Sequence, residues 1–132
     1  MVLRAILGEP GLLPQWRQVE RAVSSELLRL EYVRTIDRAR LRLDLPDREV
    51  ASIRSSLLDL LSSFDFLPLD SGILLRAAEP FPTTLGSLDA IHLASALHAK
   101  TLIPDLELAT HDLELATAAS ATGFRVFGVT LH

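Results

Sequence analysis

A chain of 132 residues, 48 % hydrophobic and 23 % charged, fits one folded domain over 1–132 and excludes intrinsic disorder as its main state. The absence of cysteine removes disulfides, thiolate metal sites and a cysteine nucleophile together. It fits a reducing cytoplasm, as does the lack of a secretory signal or of any apolar run near the roughly 18–20 residues that span a bilayer. A net charge of −4 argues against a surface that grips nucleic acid all round, yet seven of the 13 basic residues fall between Arg29 and Arg54, which leaves a local basic face open.

Residues 1–7 read as the body or tail of a helix, closed by the turn chemistry of Gly8-Glu9-Pro10-Gly11. A short helix is expected over 13–21. Ala22-Val23-Ser24 reads as a buried strand end, with Ser24 or Ser25 capping the next helix. That helix, about 26–43, carries Leu28, Tyr32, Ile36, Ala39 and Leu43 on one face, and Arg34, Arg38 and Arg42 on roughly the opposite one. Leu45-Pro46 ends it, and Asp47 is expected to cap a helix over 48–62. Phe64–Leu69 reads as a short strand, and Asp70 starts a helix to about Glu79. Ser87 is expected to cap a helix over 88–100 with Ala90, Leu93, Ala94 and Leu97 on its core face. A strand at 106–110, a helix at 112–122 stopped by Gly123, and a strand at 125–129 complete the chain. Strands alternating with helices predict an α/β domain around a mainly parallel sheet.

Chemistry is concentrated in carboxylates at element boundaries. Glu26 opens a helix straight after a strand, Asp89 lies in the first turn of an apolar helix, and Asp112 stands where a strand hands over to a helix. Each alone is explained by the helix macrodipole, which favours an acid there by about 0.3–1 kcal/mol. Together they fall on the edge where the strands of a parallel sheet end and where sites form. Carboxylates converging there repel one another unless a cation sits between them, and hard ions such as Mg²⁺ or Mn²⁺ take such oxygen ligands.

Ser87-Leu88-Asp89-Ala90-Ile91-His92-Leu93-Ala94-Ser95-Ala96-Leu97 resembles the "LDALHLATAL" helix of PIN-domain ribonucleases of the VapC toxin type. Ala109-Thr110-His111-Asp112-Leu113, followed by Gly123-Phe124-Arg125-Val126, resembles that family's "TxD … GxxV" ending. Val23-Ser24-Ser25-Glu26-Leu27-Leu28-Arg29 is similar to its "SxxEL.R" segment. The resemblance implies a three-layer α/β/α endoribonuclease, the toxin of a type II toxin–antitoxin pair, using Mg²⁺ or Mn²⁺ held by four acids. Carried over by motif, Glu26 is the second, Asp89 the third and Asp112 the fourth, with the Thr110 hydroxyl placed to orient a carboxylate or a metal-bound water. The implied partners are an RNA substrate, a small antitoxin whose segment covers the acidic cleft, and a second copy in a homodimer.

The family opens with a strand ending in an acidic ligand, whereas Met1–Gly11 matches the helix and loop that follow it. The N-terminal strand is therefore expected to be absent, through a start placed too late in the reading frame or through true shortening; the misplaced start is favoured. An empty central slot would expose unpaired backbone groups, so the chain is expected to be poorly stable alone or to fill the groove with another segment. The missing ligand sustains a rival reading, a PIN-like module that binds an antitoxin without cleaving RNA. Arg34, Arg38 and Arg42 read either as an RNA-backbone track or as a solvated face paired with Glu31 and Asp37. His92 reads as a hydrogen-bonding histidine rather than a ligand, and the Leu57–Leu61 cluster as core packing or a partner contact.

Overall fold

The computed structural model describes residues 3–7 and 19–128. Its elements are β1 (Leu3–Leu7), β2 (Val19–Ser25), α1 (Leu27–Leu43), α2 (Asp47–Leu61), β3 (Phe64–Leu67), α3 (Ser71–Ala78), α4 (Ser87–Leu102), β4 (Glu107–Ala109), α5 (Leu113–Ala121) and β5 (Val126–Phe127). The strands form one sheet in the order β3-β2-β1-β4-β5, and every neighbouring pair runs parallel.

The central slot is filled. Leu3–Leu7, read from the sequence as helix, forms β1, with Ala5 opposite Ala22 on one side and Glu107 on the other. The strand expected to be absent is thus present, and both inner strands find ladder partners for their N–H and C=O groups. No acidic residue lies within Leu3–Leu7. The helix expected over 13–21 is also corrected: Val19 to Arg21 belong to β2, and the rest of that span lies outside the described residues.

Strand alternation sorts the core into two layers. Val23 and Leu108 pack with Leu93, Ala96 and Ala99 of α4 and Leu115, Ala118 and Ala119 of α5. Their neighbours Ala22 and Ala109 join Phe64, Leu28 of α1 and Leu61 of α2. Helices therefore cover both sides of the sheet, an α/β/α arrangement. The small side chains of Ala94, Ser95, Ala96 and Ala99 are almost fully buried and let α4 lie close against its neighbours. Leu57, Leu60 and Leu61 serve the second layer, while Leu58 is exposed.

The apolar face read on α1 is buried only at its start. Leu28 is 1 % exposed, Tyr32, Ile36 and Ala39 are half-buried, and Leu43 is 62 % exposed. Two caps differ from expectation by one residue: Pro46 and Gly86, not Asp47 and Ser87, hold the N-cap positions of α2 and α4. Asp70 caps α3 as read, its Oδ1 accepting the Ile73 N–H at 2.9 Å.

From β1 the chain steps outward to β2 and β3, then returns across β1 to β4 and β5. The strand order reverses between β1 and β4. In open α/β sheets the crevice outside the carboxyl ends of the strands at such a point is where ligands bind.

Candidate active site at the carboxyl edge of the sheet

Beyond the end of β4 the chain is pinned before it enters α5. The Thr110 N–H donates to the Phe127 carbonyl at 3.1 Å, and the buried Thr110 hydroxyl accepts the Asp112 N–H at 3.0 Å. Asp112 is the N-cap of α5, and its Oδ1 accepts the Leu115 N–H at 3.1 Å. Thr110 therefore sets the backbone of Asp112, and the helix end fixes its carboxylate.

Asp89 enters from the first turn of α4. Burial pushes its carboxyl above the ordinary aspartate value, and the charge of Asp112 pushes it further. Glu31 and Glu114 add to that rise, while His92 opposes it. Asp89 and Asp112, far apart in sequence, thus share one electrostatic environment at the edge where the strand order reverses.

Glu31 and His92 join α1 to α4. The Nε2 of His92 meets Oε1 of Glu31 at 2.5 Å, and His92 is 8 % exposed. Its Nδ1 is buried with no hydrogen-bond partner. His92 follows Asp89 by three residues, so the two share a helix face. The hydrogen-bonding role read for His92 matches this placement.

Glu26 stands at the start of α1, straight after β2. It occupies the N-cap position of α1 without a side-chain cap bond, is exposed, and its N–H donates to the Leu67 carbonyl at 3.0 Å. Its charge is not among those acting on Asp89. At about 100° per residue, Glu26 and Glu31 point roughly 140° apart around α1, and Glu31 is the one bonded to α4, through His92. The charge of Asp112 is the strongest of those acting on Asp89, and among the described residues no three His, Asp or Glu side chains form a set that could hold a metal ion.

Sequence reading passed over Glu31 as a surface partner of nearby arginines. A usable signal is its position: it sits just past the first turn of α1, where the macrodipole no longer favours an acid, beside an apolar face. Arg34, Arg38 and Arg42 are all exposed. The ion pairs expected for them are not formed, since Asp37 pairs with Arg40 at 3.1 Å and Glu31 with His92. His111 is exposed, and its Nδ1 lies 3.0 Å from the Gly128 carbonyl.

The donor chemistry fits a hard divalent cation. Two carboxylates with mutual repulsion, one of them held above its normal proton affinity, gain most from a cation between them. Mg²⁺ is commonly held by one or two carboxylates and several waters.

No helix among the described residues is long and apolar enough to cross a membrane. Comparison with curated proteins and with solved structures returned no match. A family model described as PIN domain matches residues 2–120, nearly the whole chain, and the five-stranded parallel sheet with helices on both sides is consistent with it. The chain belongs to the PIN-domain family, generally a nuclease fold whose members typically depend on divalent metal ions.

Proposed function

We propose that this PIN domain is a metal-dependent endoribonuclease, the toxin of a type II toxin–antitoxin pair acting in the cytoplasm. The observation that carries the nuclease reading is that Asp89, in the first turn of α4, is half-buried within the field of Asp112 just past the end of β4, which together hold it above its usual proton affinity. Asp89 and Asp112 would hold Mg²⁺ or Mn²⁺, with Glu26 at the start of α1 as the further acid that the motif implies. The chemistry gained with a cation held by these acids would be activation of a water for attack and neutralisation of charge building on the phosphodiester. The chain's own residues prepare the site. Thr110 fixes the backbone of Asp112, and His92 holds Glu31 against α4.

The toxin role rests on the likeness of Ser87–Leu97 and Ala109–Leu113 to the VapC-type pattern. It implies a small antitoxin laid across the acidic cleft and a homodimer as the working form. A second reading, a module that binds an antitoxin without cleaving RNA, is favoured by two observations. No acidic residue lies in β1, and no third ligating side chain completes the Asp89–Asp112 pair among the described residues. RNA cleavage by the wild type and by Asp89→Asn, with Mn²⁺ and with EDTA, tests the choice. Cleavage that needs both Mn²⁺ and Asp89 supports the enzyme. No cleavage of any RNA offered, including structured tRNA, supports the module.

A further inference from the structure

Arg34, Arg38 and Arg42 recur every four residues along α1. With Glu31 they fall within a sector of about 80° at 100° per residue, so the acid facing α4 and the three arginines share one side of the helix. The row runs about 16 Å from Glu31 to Arg42, with an arginine roughly every 6 Å beyond Arg34. Several other basic side chains are engaged, though Arg48 and Arg54 of α2 are exposed like the α1 row. Arg21 pairs with Asp65 and Arg40 with Asp37. Arg125 approaches Glu107, and Arg29 lies over the Phe66 ring. No ion pair or ring contact is formed by Arg34, Arg38 or Arg42 among the described residues, and all three are exposed. The macrodipole accounts for a cation in the last turn, where Arg42 stands, but not for Arg34 and Arg38 in mid-helix. In a chain with 17 acidic and 13 basic residues, carboxylates were available to neutralise this row, and the fold leaves it unpaired.

We infer that this side of α1 is a track for the sugar–phosphate backbone of single-stranded RNA, running from the Glu31 end beside the acidic pair outward along Arg34, Arg38 and Arg42. The inference rests on the nuclease reading for the identity of its ligand. It adds the path by which the substrate leaves the site. Forked guanidinium groups suit phosphate oxygens, and regular spacing along a straight helix suits a polyanion better than a single small anion. Contacts of this kind position the strand without selecting its sequence.

The test compares the triple variant Arg34→Gln/Arg38→Gln/Arg42→Gln with a control of equal charge change, Arg21→Gln/Arg40→Gln/Arg125→Gln. Binding of a short labelled single-stranded RNA is measured in EDTA over a range of salt, and cleavage is measured separately with Mn²⁺. The α1 variant is expected to bind at least tenfold more weakly, and its slope of log affinity against log salt to shrink by about 2, from three phosphate contacts at roughly 0.7 each. KM should rise while kcat at saturating RNA stays near wild type, and the control should follow the wild type in every readout. Equal losses in both variants would reduce the effect to bulk charge and overturn the track. Unchanged binding in the α1 variant, or no RNA binding by the wild type at low salt, would overturn it too. So would loss of binding to an acidic peptide with RNA binding intact, which would assign the face to a protein partner. Selective loss of RNA binding in a protein that never cleaves would leave the track standing and remove the nuclease reading. Normal KM and salt slope in an α1 variant of a cleaving enzyme would do the reverse.

Discussion

Asp112 has two duties that substitution can separate. Its Oδ1 accepts the Leu115 N–H at 3.1 Å as the N-cap of α5, and its charge is the largest electrostatic contribution, after burial, to the raised proton affinity of Asp89. Asparagine keeps an Oδ1 in the same place and caps about as well as aspartate, whereas alanine removes the cap at a typical cost of about 1 kcal/mol. Asparagine forfeits the favourable charge at the helix start, about 0.3–1 kcal/mol, and regains some of it by relieving repulsion with Asp89. Asp112→Asn should therefore melt close to the wild type in metal-free buffer. Asp112→Ala should melt about 3–5 °C lower, the shift expected for 1 kcal/mol in a domain of this size. Faster hydrogen exchange at the Leu115 amide should appear in the alanine variant alone. Both variants should lose Mn²⁺-dependent cleavage. Equal melting losses would show that the cap is not what Asp112 contributes to stability. Retained cleavage in Asp112→Asn would remove Asp112 from the acidic site.

Three further outcomes follow from the same geometry. Asp89 has a native proton affinity above that of the unfolded chain, so its charge lowers metal-free stability at neutral pH, and the loss fades as pH falls through the raised native pKa. Asp89→Asn should therefore be more stable than the wild type at pH 7, with the difference narrowing in acid and the Mn²⁺-induced rise in Tm diminished; melts across pH with and without Mn²⁺ read both effects. His92→Leu leaves Glu31 without its donor and should cost about 1–3 kcal/mol in urea unfolding, part of which returns when Glu31→Gln is added. Leu93→Ala at a fully buried position should cost about 3–5 kcal/mol by opening a cavity between α4 and the sheet, measured by the same unfolding.

Features governed by neighbours in sequence were legible, and those governed by distant partners were not. The caps at Asp70 and Asp112, the start of α4 near Asp89 and the stop at Gly123 follow from local backbone chemistry, and the structure places each within a residue or so of the reading. Leu3–Leu7 is a short apolar run whose periodicity fits helix or strand alike. It becomes a strand because β2 and β4, remote in sequence, offer it ladder partners on both sides. The periodicity of α1 marks its apolar face, but a pattern does not reveal how deep each position lies, and burial declines from Leu28 through half-buried Ile36 and Ala39 to exposed Leu43. Glu26 and Glu31 show the same limit at the site. A strand–helix boundary made Glu26 conspicuous, yet the direction of a side chain around α1 decides which acid meets α4, and that is fixed by His92, 61 residues away.

The direction of the Asp89 shift separates helix stabilisation from site chemistry. An acid placed in the first turn of a helix for the sake of the macrodipole gains from being charged, which holds its pKa down. Asp89 makes no cap bond, since Gly86 holds the N-cap position of α4 without one, and its proton affinity is raised by burial and by Asp112, Glu31 and Glu114. Its surroundings therefore disfavour the charged form that a stabilising helix acid would supply. Asp112 differs, because its cap bond gives it a structural reason to stand where it does. The pair is thus uneven: one acid is held in place by the helix it caps, and the other is kept at a cost to the free protein. A ligand that binds the charged pair recovers that cost, and a divalent cation does so directly.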